Sequence, residues 1–397
     1  MKWRNEWVQG ALLPAGVRGS APHPSLTKGM TYMSSNIGHA FRVQIFGESH
    51  GPMIGVTIDG LPAGIQMDEA WLNGFMQRRA AKGSAIATPR RESDIPRIIS
   101  GVNENGRTTG YPLTAVFENS NTHSSDYSFL PDKPRPGHAD YPAITRSLGE
   151  DDLRGSGHHS GRLTLPQVFA GGVAMLFLRQ IGVDIAAHIL QVGSVRDASI
   201  DPVNPDMEAL HDCHLQEVPA LDPEAGQRMM QTILDAKADM DSVGGIVEVV
   251  ATGVPAGIGA PYFDGVEAAV AQQLFSIPAV KGVEFGAGFD CAMMPGSRYN
   301  DPYCMEDGEI RTTRNAAGGL LGGITNGMPI IARCAFRPTA SIGKEQQTVS
   351  LSAAAIGKDA ETTLVVKGRH DPCVAIRAVP VVEAAVAIAL ADLYLQG

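Results

Sequence analysis

Apolar positions recur along this chain with two periods, one strand-like and one helix-like. Short runs rich in β-branched and aromatic residues predict strands at 41–46, 53–59, 112–117, 245–251, 329–336 and 362–366. Longer apolar or amphipathic runs predict helices over 68–79, 164–181, 223–239, 263–275 and 380–395. Asp68 suits the N-cap of the first helix, and Pro380 suits the first turn of the last. The stretches 80–95, 119–162 and 291–328 read as long loops, and loops of that length in a compact domain are often functional. Clear patterning begins near Phe41. Residues 1–32 carry Trp3, Trp7 and scattered Pro and Gly with no period, and they read as a disordered extension or an early-assigned start. Leu12–Gly16 is too short and broken for a signal-peptide core, and the stretch is not rich enough in Arg and Ser for a transit peptide. Periodicity alone predicts only a mixture of α and β.

Composition narrows the classes of function. The 397 residues are 44% hydrophobic and 19% charged, an ordinary soluble composition. Lys+Arg 32 against Asp+Glu 42 gives −10. A net acidic chain argues against nucleic acid as a partner, because a phosphate backbone demands a broad basic face. A small anionic substrate needs only local cations. No apolar run reaches the ~18 residues that span a bilayer. The longest candidate, Val379 to Leu395, is interrupted by Glu383 and Asp392, so no membrane partner is expected. Cys213, Cys291, Cys304, Cys334 and Cys373 are spaced too widely for a CxxC pair or a disulfide framework, which fits a reducing cytoplasm. His211, Cys213 and His214 cluster without a second ligand pair, so they read as a surface loop and no metal is expected.

Candidate chemistry gathers in a few turns. Gly368-Arg369-His370-Asp371-Pro372-Cys373 sets a guanidinium, an imidazole and a carboxylate side by side on a constrained turn, which suits anion binding and proton transfer. Gly47-Glu48-Ser49-His50-Gly51 follows a strand, and its flanking glycines let a ligand approach the backbone closely. Arg135-Pro136-Gly137-His138-Ala139-Asp140 has the same character, with Asp140 placed to orient His138. Arg154 to Arg162 is a Gly/Ser/His/Arg loop entering the helix near Thr164, where helix N–H groups favour phosphate. It lacks the Gly-Lys-Thr/Ser of a P-loop. Arg78, Arg79, Arg90 and Arg91 read either as a solvated face or as attraction for an acidic substrate. Gly318–Gly323 reads equally as a phosphate or flavin contact or as tight helix packing. Taken singly, each turn also reads as a solvated loop.

Taken together and in order, these segments resemble the chorismate synthase family. The resemblance rests on FGESHG at 46–51, RPGHAD at 135–140, AVKGVEFGAGF at 279–289 and AGGLLGGITNG at 317–327. RPTASI at 337–342, KGRHDPC at 367–373 and RAVPVVEA at 377–384 continue it. It covers about residues 38–396. The resemblance implies an α+β fold, a single-domain β-α-β sandwich over 33–397, assembled as a homotetramer in the cytoplasm. It implies a lyase of the shikimate pathway, in aromatic amino acid biosynthesis. That reaction is the 1,4-anti elimination of phosphate from 5-enolpyruvylshikimate-3-phosphate, requiring reduced FMN without net redox change, with NADPH possible as reductant.

Carried over residue by residue, the resemblance implies that His50 protonates or stabilises the departing phosphate. His138 stabilises the reduced flavin, and Asp371 assists proton removal. FMN contacts fall on His158, His159, Ser160, Ala279, Gly322, the stretch Arg337-Pro338-Thr339-Ala340-Ser341, and Arg369. Substrate contacts fall on Ser49, Arg79 and Arg162. The chain departs from the commoner family pattern at His158-His159-Ser160, where many members read Arg-Ser-Ser. It departs again at Ala85, where a basic residue is usual. Those departures motivate a second reading, a non-catalytic flavin-binding paralogue. A third, an NADPH-dependent flavin oxidoreductase, lacks a strand–GxGxxG–helix unit.

Overall fold

A computed structural model describes residues 35–80, 84–87, 94–120, 127–366 and 371–397. The extension at 1–32 lies outside them, as do Arg90, Arg91, Arg369 and His370. Two antiparallel sheets enclose a layer of helices. The first sheet contains β1 (Asn36–Ile37), β2 (Arg42–Gly47), β3 (Met53–Asp59), β4 (Arg97–Ser100) and β5 (Leu113–Glu118), in the order β1-β2-β3-β5-β4. The second contains β6 (Asp184–Val192), β7 (Val195–Arg196), β8 (Gly245–Thr252), β9 (Val280–Phe285) and β10 (Ile330–Phe336), in the order β7-β6-β8-β10-β9. The helices of seven residues or more are α1 (Glu69–Arg79), α2 (Asp140–Ser147), α3 (Thr164–Arg179), α4 (Met207–Cys213), α5 (Pro223–Ala238), α6 (Val266–Ser276) and α7 (Ala375–Leu395). Short hairpins at 303–312, 320–325 and 346–364 complete the described chain.

The middle layer explains why its helices are apolar on every side. Helix α3 packs on β2, β3 and β5, α7 packs on β6 and β8, and α3 and α7 pack on each other. Every residue of α3 but Arg179 is buried. The two helices meet closely at Gly171. A Cβ there would stand 2.3 Å from Ala384 Cα, so only glycine permits this approach. Two helical stretches, Arg154–Arg179 and Ala375–Leu395, are long and apolar enough to cross a membrane, which corrects the expectation that no run suffices. Their apolar windows are 94% and 89% buried inside the fold, as core helices would be. Asp392 near the end of α7 accepts the backbone N–H groups of His39, Ala40 and Phe41, fastening the first sheet to the last helix.

The predicted strands and helices are present with shifted ends. Asp68 caps α1 through its carboxylate and the Trp71 N–H. The last helix begins at Ala375 rather than at 380, so Pro380 lies inside it. The helix predicted from 263 begins at Val266, after a 3-10 turn over Tyr262–Asp264. Strands β4, β6 and β9 were not expected, and the loop 119–162 contains α2. Strand β6 shows no alternation because both its faces are covered, one by α7 and the other by α4 and α5. The His211–His214 cluster is no surface loop. Cys213 is buried at the end of α4, His211 pairs with Asp184, and His214 donates toward Ala187 O and Glu383.

A line of alternating charges crosses the second sheet. His188 on β6 faces Glu248 on β8, which faces Arg333 on β10, which faces Glu284 on β9. His188 is fully buried, with Asp197 Oδ2 3.1 Å from Nδ1 and Glu248 Oε2 3.1 Å from Nε2. Burial pulls its pKa down, but the bonds to both carboxylates outweigh that and raise it above the ordinary 6.5. A raised histidine stabilises the fold fully below the unfolded-state value, and the contribution is lost as pH rises through the folded-state value. The denaturation free energies of wild type and His188→Gln are therefore expected to differ most below pH 6.5 and to converge at higher pH. A gap that stays constant across that range would show that His188 carries no such charge.

Candidate active site

A cavity of about 1140 Å³ opens where α1 ends and α7 begins, and loops 135–140, 155–162, 275–281 and 336–341 close it. Of the expected residues, Arg79, His138, His158, His159, Ser160, Arg162, Ala279, Arg337, Thr339, Ala340, Ser341 and Asp371 line it. Pro338 does not. Gly322 turns the hairpin at 320–325, outside the lining, and Arg369 lies outside the described residues.

One end of the cavity is a cluster of guanidinium groups that, among the described residues, shares two carboxylates. Arg79 and Arg162 share Asp94, at 3.3 and 2.8 Å. Arg79 Nε also donates to Thr164 Oγ1 at 2.8 Å. Arg377, in the first turn of α7, donates to the Arg79 carbonyl at 2.8 Å and pairs with Asp371 at 2.7 Å. Arg79 is almost fully buried, and burial, with Arg377 and Arg162 nearby, lowers its pKa to about 9. It stays cationic at neutral pH. Among the described residues three like charges meet two carboxylates here, an arrangement that suits an anion. Arg78 does not share the role. It reaches away to Glu383, so the two adjacent arginines are neither a solvated face nor a single functional pair.

The other end is built on Asp140. Arg135 gives Asp140 its backbone N–H, its Nε and one Nη2, at 2.9, 2.8 and 2.7 Å. Burial alone would raise the Asp140 carboxyl, but Arg135 and His138 hold it well below the usual carboxylate range. His138 Nδ1 lies 2.8 Å from Asp140 Oδ1 and 3.1 Å from Arg135 Nη2; the ionised carboxylate can only accept, so Nδ1 donates to it and Nε2 is left for the cavity. Burial, reinforced by Arg135, lowers the pKa of His138 against the pull of Asp140. Arg135 also donates to Ser156 and Ser341. Thr339 Oγ1 is buried without a hydrogen-bond partner among the described residues.

His50 stands one layer behind the wall. It is 9% exposed, and its ring packs edge-on against Tyr127, whose face lies under the Arg135 guanidinium. Gly155 separates it from the cavity. A Cβ at Gly155 would sit 1.9 Å from His50 Nδ1, and its φ is +59°, so this position admits glycine alone. Ser49 is fully buried beside it, and its Oγ has no hydrogen-bond partner among the described residues. His158 differs from expectation in its direction. Nδ1 lies 2.9 Å from Gly47 O and Nε2 lies 2.6 Å from Ser35 Oγ, so both nitrogens are spent on the chain's own turns. Its departure from the arginine of the pattern this chain resembles is thus met by local contacts. Ala85 lies outside the lining, and its carbonyl accepts from Lys237 Nζ at 2.6 Å.

Asp94, Tyr127, Lys281 and Arg377 line the cavity but were not expected there. Only Arg377 and Lys281 fell within the motifs, without a role. Spacing in the sequence could not place Asp94 between two arginines that lie 15 and 68 positions away.

A family model described as chorismate synthase matches residues 41–395. The chorismate synthase of Methanosarcina acetivorans is 45% identical over 361 residues, covering 91% of this chain and 96% of that protein. That of Thermococcus gammatolerans is 46% identical over 356 residues, covering 89% and 96%. A crystal structure of chorismate synthase superposes with a TM-score of 0.70 at 26% identity, over 91% of this chain and 93% of that one. The β-α-β sandwich is therefore the fold of that family, and a chain that matches its model from the second strand to the last helix belongs to the chorismate synthase family.

Proposed function

We propose that the cavity converts 5-enolpyruvylshikimate-3-phosphate to chorismate and phosphate with bound reduced FMN. The observation that carries this reading is a single cavity joining the Arg79–Arg162–Arg377 cluster to a carboxylate at Asp371 and to the His138–Asp140 pair. A cation cluster suits a leaving phosphate, and a carboxylate and an imidazole suit proton movement. Phe275, Ile277, Val280 and Phe336 supply apolar walls for a flat ring system, and the unsatisfied Thr339 hydroxyl beside Arg337 offers it a polar partner. These residues fit a flavin, with Ala279, Ala340, Ser341 and His138 completing its place. When bound, reduced FMN supplies electron density as phosphate departs and recovers it afterwards.

The chain's own residues would do the rest. Arg79 and Arg162 bind and orient the phosphate. His50, behind Gly155, supplies a proton to the departing group. Asp371, held by Arg377, takes the proton from C6. His138, when protonated on both nitrogens, would donate from Nε2 to the flavin's anionic edge. The buried walls exclude water. Exposed Phe263, Phe289, Met293, Tyr303, Met305 and Ile310 give the region around β9 the apolar surface a homotetramer would cover, and five free cysteines suit a cytoplasmic setting.

Anaerobic mixing of the protein with photoreduced FMN and the substrate is expected to release chorismate and phosphate in equal amounts. FMN bound with no phosphate released would instead favour the non-catalytic flavin-binding reading. NADPH oxidation in the presence of FMN, with no added reductase, tests whether the protein reduces its own flavin.

A further inference from the structure

Asn119 stands where β5 runs out, and three hydrogen bonds tie its side chain to two parts of the site. Nδ2 donates to Glu48 O at 3.0 Å and to Gly51 O at 2.9 Å, so it grips both ends of the turn that carries Ser49 and His50. Oδ1 accepts from Arg162 Nε at 2.7 Å. The partners fix which atom is which. Two carbonyls require a donor and a guanidinium N–H requires an acceptor, so a flipped amide would oppose like to like at all three contacts. The backbone anchors the residue too, since Asn119 N–H donates to Pro52 O at 3.2 Å.

From the opposite side, the same turn is held by the loop over Gly155–His158. Ser49 N–H donates to Gly157 O at 3.1 Å, and His158 bonds Gly47 O. His50 therefore sits in a turn clamped from two sides, and on one side the clamp is a single amide. That amide also accepts from Arg162 Nε and, with Glu118 O at 3.2 Å from Nη2, aims the guanidinium at the anion end of the cavity, where its Nη1 meets Asp94.

We propose that Asn119 is a positioning residue that sets the distance between His50 and the anion held by Arg162. The inference rests on the lyase reading, in which His50 gives a proton to a phosphate bound at Arg162. Proton transfer is sensitive to placement, and about 1 Å of error can cost on the order of 100-fold in rate. The amide's two halves have separable effects. Carboxylate at this position keeps the acceptor for Arg162 but replaces both donors with oxygen facing the Glu48 and Gly51 carbonyls. Alanine removes both halves.

Asn119→Asp and Asn119→Ala are compared with wild type for kcat, KM and thermal midpoint, with His50 imidazole resonances followed by NMR and assigned through His50→Gln. Asn119→Asp is expected to lower kcat by about 10–100-fold while KM stays within about threefold. Asn119→Ala is expected to lower kcat similarly and to raise KM by about tenfold, one lost charge-assisted bond. The His50 resonances move in both. Unchanged kcat in Asn119→Asp with unmoved His50 resonances overturns the proposal, as does equal loss of kcat and KM in both variants. Should Asn119→Ala not fold, Asn119→Asp decides alone. If wild type itself releases no phosphate, the lyase reading fails, and the NMR comparison still tests the clamp.

Discussion

His138→Ala is expected to lower kcat by on the order of 10²–10⁴-fold with the thermal midpoint almost unmoved. The loss is large because His138 presents to the cavity an imidazole nitrogen whose partner nitrogen is fixed by Asp140. The fold tolerates the change because Asp140 keeps three donors from Arg135 and is not left as an unpaired buried charge. Asp371→Asn is expected to act alike, since the amide still accepts from Arg377 but takes no proton. Anaerobic turnover and a melting curve on each variant check this. Turnover within a few-fold of wild type in either variant would remove that residue from the chemistry.

Arg78→Met is expected to destabilise the protein by roughly 3–5 kcal/mol, a stability effect with its origin outside the cavity. Glu383 lies fully buried on α7, and Arg78 from α1 meets it in a two-pronged pair at 2.7 and 2.8 Å. Burial pushes the carboxyl up, yet Arg78 and His214 pull it down to about 2. A depressed carboxyl stabilises the fold above its unfolded-state value, and that contribution fades only as pH falls toward the folded-state value. Methionine keeps much of the arginine's volume and removes its charge, leaving Glu383 with the Ala187 N–H and His214. The double variant Arg78→Met, Glu383→Leu is expected to recover most of the loss, because no buried charge remains. Denaturant unfolding of the single and double variants measures both numbers. A single-variant loss below about 1 kcal/mol would place the pair among the weak surface ion pairs.

Much of the fold was legible in the sequence because periodicity reports which faces are buried. It failed where burial is complete. In β6, apolar residues point both ways and no alternation survives, so the strand left no pattern. The last helix was placed late because Pro380 resembles a first-turn residue, although Ala375 precedes it in the same helix. The site was legible as a set of turns, and twelve of its expected residues share the cavity lining. Directions were not legible. Adjacent Arg78 and Arg79 serve different ends, and His158 points its nitrogens at backbone and Ser35. Gly322 carries a motif without reaching the cavity of this chain. Asp94 and Asn119 act through partners far away in sequence, and nothing at their own positions announces it.

The position of α7 in the chain has a temporal consequence. Both sheets are encoded before it, yet each needs it, or a helix packed on it, to cover its inner face. During synthesis the second sheet emerges before the helix that covers its inner face. A nascent chain that ends before residue 375 can lay α3 on the first sheet, but the second sheet and the facing side of α3 still lack α7. The ribosome therefore delivers an incomplete sandwich, exposed to chaperones and to self-association, until α7 completes its central layer.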